Sequence, residues 1–183
     1  GWSEQEVEAH LARGYDNYWL TFPADSHIHH AELVRKAEAK KLKLHIETRI
    51  LTDHDVTELV IYTADDPGLF SRIAGAIALA GAPIVDAKIM TMSNGMVLDT
   101  FWIQDAKGGA FESPDRLKKL KVRIEDALSG KVNTARELEL LRDRTPPRRT
   151  RVFKVPPHVL VDNKLSRIHT VIELNGRNRV GFL

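Results

Sequence analysis

Residues 57–70, TELVIYTADDPGLF, constrain this chain more than any other stretch. Leu59, Val60, Ile61 and Tyr62 form an uninterrupted apolar run, the pattern of an interior strand buried on both faces. The run leads into Asp65-Asp66-Pro67-Gly68, a turn composition. Leu69, Phe70, Ile73, Ala74, Ile77 and Ala80 then recur at helical spacing, and Gly81 marks the end of that helix. Asp66 is positioned to cap it, with Pro67 in the first helical position, where a missing N–H costs nothing. A strand that passes through a tight turn into a helix gathers unpaired backbone N–H groups at one point, which suits a carboxylate or carbonyl oxygen. Residues 170–183, TVIELNGRNRVGFL, repeat the plan in weaker form.

The rest of the chain extends this unit. Two alternating segments, residues 84–92 and 96–105, flank Ser93-Asn94-Gly95, and an Asn-Gly pair between alternating runs is a strong hairpin signal. Ser113-Pro114 opens a second helix with Leu117, Leu120, Ile124 and Leu128 inward, closed by Gly130. The order strand, helix, strand, strand, helix needs one more strand to complete a ferredoxin-like βαββαβ unit, an α+β fold. Upstream, Ser3 and Glu6 match a capping box. After the aromatic cluster Tyr15, Tyr18, Trp19 and Phe22, Pro23 interrupts the chain, and Asp25 or Ser26 can cap a helix with Ile28, Ala31 and Val34 on one stripe. From Leu42 the period shifts toward two, with Leu44, Ile46, Thr48 and Ile50 alternating with polar residues, predicting a strand before Asp53. Downstream, residues 133–144 form a short helical connector, and Thr145-Pro146-Pro147-Arg148-Arg149 is a break. Residues 152–155, 158–161 and 168–174 read as strands, and either of the first two can supply the missing one.

Composition narrows the function classes. The 183 residues suffice for one large or two small domains, and 43% hydrophobic with 28% charged residues is ordinary for a globular protein. The net charge of +2 gives no general affinity for polyanions, so no nucleic-acid partner is expected. Cysteine is absent, which removes disulfide and thiolate chemistry. No apolar run approaches a membrane span and the N-terminus is polar, so the expectation is a cytoplasmic protein with no membrane partner. The lack of an initiating Met and the abrupt end at Gly181-Phe182-Leu183 suggest a piece of something longer.

At these residues a resemblance becomes specific. D-x-P-G-L-F after a strand, followed by an alanine-rich helix and a glycine-containing hairpin, resembles an ACT domain, a ferredoxin-like module that binds amino acids and regulates attached enzymes. The longer run from Leu51 through LDTFWIQDAKGGAF and the Pro-Arg linker to VDNKLSRIHTVIELNGRNRVGFL is similar to the C-terminal region of the bacterial bifunctional PII uridylyltransferase/uridylyl-removing enzymes. That family joins a nucleotidyltransferase domain, an HD phosphohydrolase domain and two ACT domains. The resemblance implies a helical lead-in over residues 1–55, a first ACT core over 56–132, a basic linker with possible closing strands over 133–165, and a truncated second ACT domain over 166–183. It further implies glutamine as effector, PII as a partner through the parent enzyme, contact with catalytic domains of the same polypeptide, and Mg²⁺ for the parent enzyme but no cofactor in this segment. One departure stands out. The second turn is Asn178-Arg179-Val180-Gly181, where the family has Asp-Arg-Pro-Gly, losing a charge and a preset φ.

The expected effector site is the turn. Gly68 lets a ligand approach the backbone, the N–H groups of Gly68, Leu69 and Phe70 can receive a carboxylate, and Asp65 or Asp66 can pair with an α-ammonium. Asn178 and Gly181 are the counterparts in the second copy, and Ile89, Met90 and Thr91 are a weaker carry-over from the resemblance. The plainer reading is that Asp66 and Pro67 only start the helix. Asp25 with His27, His29 and His30 has the residue types of a metal cluster but lacks a properly spaced further ligand, so no metal is assigned. His54-Asp55 sits in a turn between strands, unlike an HD dyad on helices. There is no Gly-Ser pair to begin a nucleotidyltransferase signature and no phosphate-binding glycine motif, so no catalytic residue is assigned. Arg142, Arg144, Arg148, Arg149, Arg151 and Lys154 make a basic segment without interleaved aromatics, a solvated linker. Met90, Met92, Phe101 and Trp102 can present a sheet face for homodimer pairing or simply cover their own helices. The alternative function is a stand-alone amino-acid-binding or dimerisation module.

Overall fold

The computed structural model describes residues 1–144, 156–166 and 169–176. Three helices lead the chain: α1 (Glu4–Leu11), α2 (Asp16–Thr21) and α3 (Ala24–Ala39). The capping box forms as expected, Glu6 N–H donating to Ser3 Oγ at 3.2 Å and Ser3 N–H to Glu6 Oε2 at 2.8 Å. Then come β1 (Leu44–Leu51), β2 (Val56–Ala64), α4 (Leu69–Leu79), β3 (Ile84–Lys88), β4 (Met96–Ile103), α5 (Pro114–Leu128) and α6 (Thr134–Arg144). The strands form one antiparallel sheet in the order β1-β2-β4-β3. A separate antiparallel pair, β5 (His158–Asp162) and β6 (Val171–Asn175), follows.

This is ferredoxin-like layering with one relocation. The strand beside β2 comes from before the unit, not after it: Leu44–Leu51 pairs with Val56–Ala64 through a short 3₁₀ turn at Thr52–His54. Of the two segments expected to close the sheet, residues 158–161 pair with β6 instead, and 152–155 lie outside the described residues. The physical reason is loop length. A strand four residues away pairs at far lower entropic cost than one reached across α6 and the linker. The second pair repeats the device, since β5 stands to β6 as β1 stands to β2.

Strand alternation sorts the sheet into two cores. Leu59 and Ile61 of β2 and Val97, Phe101 and Ile103 of β4 face α4 and α5, where they pack with Leu69, Ile73, Ile77, Leu120 and Ile124. Val60, Tyr62 and Leu98 face the other way, against Tyr18, Phe22, Leu33, Val34 and Ala37 of the leading helices. The lead-in therefore covers the second face of the sheet. Met92 is buried under it, Met90 and Trp102 pack against it, and Phe101 lies on the opposite face, so that face is not open for pairing with another sheet. The stripe expected on α3 is also shifted. Ile28 is exposed, and Ser26, His30, Leu33, Val34 and Ala37 point inward. Helix α6 packs on α4 at Gly75, where an added Cβ would come within 2.7 Å of Thr134.

Candidate functional site

Strand β2 is buried from residue 56 to residue 63, the apolar run Leu59–Tyr62 included, so it delivers the chain to the turn from the middle of the sheet. Leu69 N–H donates to Asp66 O at 3.0 Å, and Gly68 has φ 77° and ψ 10°. Those angles, near the roughly +80° and 0° of the third residue of a type II turn, explain why glycine stands there, with proline before it. Gly68 is itself the N-cap of α4, and no side chain caps the helix. This corrects the expectation that Asp66 caps and Pro67 begins the helix. With the turn inserted, the Asp66 side chain lies outside capping position and forms an ion pair with Arg72.

The site residues named from the sequence thus separate. Leu69 is not a free donor, since its N–H closes the turn and its side chain is buried in the core. Among the described residues, the N–H groups of Gly68, Phe70 and Ser71 have no acceptor, while Arg72 N–H begins the helical ladder to Gly68 O. Ser71 was not singled out by the sequence reasoning. Its signal was available, since the second and third helical residues are the ones left unbonded behind a turn. Asp65 is exposed, its backbone N–H held by Gly95 O at 3.3 Å. Phe70 is half-exposed and stacks on Phe101, ring centroids 5.9 Å apart. Asn178 and Gly181 lie outside the described residues.

Two further features border the turn. A groove of about 850 Å³ runs from Phe70, Ser71 and Gly75 along the free edge of β3 at Ile84 and Ala87 to Leu138 of α6. Beyond Lys88 the edge strand continues irregularly, Leu98 N–H donating to Met90 O at 2.8 Å and Thr91 bridging to Val97. Opposite this stretch stands Asp99, at 1% exposure, on the same strand face as Val97 and Phe101. Neither of its oxygens has a hydrogen-bond partner. Burial pushes its carboxyl up to about 7; the nearby Met90 N–H opposes that rise and the Asp65 charge adds to it. Sequence reasoning missed Asp99, although an acid at an apolar position of an alternating strand was the available signal.

The histidines have a different setting. His30 Nδ1 lies 3.1 Å from the Tyr18 hydroxyl, and its Nε2 lies 3.5 Å from Thr100 Oγ1. Burial, then the neighbouring His29, His27, Arg49 and His10, depress its pKa to about 3, so it is neutral. His27 Nε2 lies 3.3 Å from Trp19 O. Among the described residues, no three His, Asp or Glu side chains are gathered to hold a metal ion. None of the described helices is long and apolar enough to cross a membrane.

Fold and site together define an α+β module, compatible with a ferredoxin-like ACT domain, that carries donor groups at a strand-to-helix turn. No family model matches the chain, and no solved structure matches it. Curated relatives do. A bifunctional uridylyltransferase/uridylyl-removing enzyme of Azospirillum brasilense is 52% identical over 97% of the chain. Its namesakes in Gluconobacter oxydans and Rhodospirillum rubrum are each 44% identical over 98% and 100%. The chain spans 19% of the length of each of these relatives. It is a homologue, along nearly all its length, of one segment of the bifunctional uridylyltransferase/uridylyl-removing enzymes.

Proposed function

We propose that this segment is the effector-sensing part of a PII uridylyltransferase/uridylyl-removing enzyme and that glutamine binds at the turn between β2 and α4. The observation that carries the reading is the pair of unbonded N–H groups on Phe70 and Ser71 behind a left-handed Gly68. Such donors at the positive end of a helix favour an α-carboxylate. The chain contributes no catalytic group. Its role is to couple effector occupancy to uridylyl transfer and removal on PII, carried out with Mg²⁺ by domains elsewhere in the polypeptide. A coupling of about 1–3 kcal/mol between sites is typical of such regulation and is enough to shift the balance between opposed activities.

Selectivity for glutamine over glutamate would rest on contacts to the side-chain amide. A side-chain amide needs both a donor and an acceptor, and a site that supplies both rejects a carboxylate, which can only accept. Thermal melts of the chain in each of the common amino acids test the reading. Glutamine is expected to raise the midpoint in proportion to the logarithm of its concentration, and glutamate is not. Gly68→Val removes the effect, because a β-branched side chain resists φ 77° and crowds the approach. Equal midpoints in all amino acids would remove the support for an effector site here.

A further inference from the structure

We propose that Asp99 is a binding residue of this site, its carboxylate taking the α-ammonium of an amino-acid effector whose α-carboxylate sits on Phe70 and Ser71 N–H. The inference rests on the effector reading of the turn and adds the cation-binding half that the turn lacks. Asp65 and Asp66 were the sequence candidates for that half. Asp66 is engaged by Arg72, and Asp65 is exposed, so neither offers a desolvated, unengaged anion.

Asp99 offers one. Its neighbours along the strand face are Val97 and Phe101, its partner across the sheet is Ile61, and all three belong to the apolar core under α4 and α5. A carboxylate in such company needs a counter-charge or a proton, because desolvation penalises the bare anion. No described cation supplies the counter-charge. Lys88 lies on the other face, with its Nζ over the rings of Phe22 and Trp102, and Arg72 is held by Asp66 and Leu128 O. Glu58 is equally buried, yet Arg49 reaches it at 2.9 Å and 3.0 Å. The orphaned acid therefore stands out among the described residues, and it stands in the right place. Phe101, two residues further along the same face, stacks on Phe70, whose N–H is one of the free donors. The Asp65 side chain, at the start of the turn, is close enough for its charge to act on Asp99.

The ligand class follows from the two ends. A group with a carboxylate and an ammonium on one carbon satisfies the helix N-terminus and Asp99 together. A deaminated or N-acylated analogue satisfies only the first. Calorimetry on the chain with glutamine, N-acetylglutamine and 4-carbamoylbutanoate separates these cases. The wild-type chain is expected to bind glutamine at least about ten-fold more tightly than either analogue, the scale of one charge-assisted contact. Asp99→Asn, which keeps the shape, is expected to bring all three to within about two-fold of one another. Equal affinity of the wild-type chain for glutamine and 4-carbamoylbutanoate overturns the assignment without any variant, and so does undiminished discrimination by Asp99→Asn. In both cases the turn remains an effector site. Absence of glutamine binding to the wild-type chain instead overturns the effector reading, and this inference with it.

Discussion

The two faces of the central sheet bury their acids in opposite ways. Toward α2 and α3, Glu58 has Arg49, His30 has Tyr18, and the Tyr62 hydroxyl has Glu38 and Asn94, while His27 Nδ1 and His29 Nε2 are buried without a bond. His10, with neither nitrogen bonded, sits between the rings of Trp2 and Trp19, and burial lowers its pKa toward the neutral form. Toward α4 and α5 the surroundings are apolar, and the single buried acid there has no hydrogen-bond partner among the described residues. A face that satisfies its own charges is finished as structure. A face that leaves a carboxylate unanswered beside unbonded N–H groups has room for something from outside.

Four changes would sharpen or break this contrast, from the largest expected effect to the smallest. Phe101→Ala removes the ring that ties the aliphatic core to Phe70, and urea unfolding should show a loss of about 3–5 kcal/mol. Asp99→Asn should act in the opposite sense at alkaline pH. In the folded chain Asp99 holds its proton up to about 7, far above its unfolded value. The native state thus binds more protons between about pH 4 and 7, and stability falls as pH rises through that window. Replacing the acid should recover on the order of 3 kcal/mol at pH 8 and flatten that slope. A variant no more stable than wild type at pH 8 would show that Asp99 carries no burial penalty.

Tyr18→Phe probes the satisfied face and should cost about 1–3 kcal/mol, because His30 is left buried without its partner. That face also has the opposite pH response. His30 is depressed to about 3, so the unfolded chain binds the extra proton, and stability falls as pH drops from about 6.5 toward 3. Chemical denaturation at pH 4, 6 and 8 would separate the two contributions. Gly68→Ala should be the mildest, costing about 1–2 kcal/mol through the left-handed backbone alone, since its Cβ meets nothing closer than Ser71 Oγ at 3.6 Å.

Much of this fold was legible because local signals agreed with tertiary burial. The apolar run of β2, the Asn94-Gly95 hairpin and the stripe of α5 each pointed to the element that forms. Where the reading failed, long-range contacts decided. Ile28 looked like a core residue by spacing, yet the inward face of α3 is the one that brings His30 to Tyr18. The closing strand was sought downstream because the motif order suggested it, whereas β1 was already next to β2 through four connecting residues. At the site, Gly68 was legible as the special backbone position, but the type II turn moved the helix start by two residues and released Asp66 to Arg72. Asp99 was legible only in part. An acid between Val97 and Phe101 on one strand face is a sequence signal, and the pairing with Ile61 then shows that its side chain enters the core.

Amide spectra of the ¹⁵N-labelled chain under saturating glutamine test the central claim most directly. The account predicts that Gly68, Phe70 and Ser71 shift together with Asp99, while amides of α3 and β1 on the far face hold still. Unchanged resonances at the turn, or shifts confined to the far face, would contradict it.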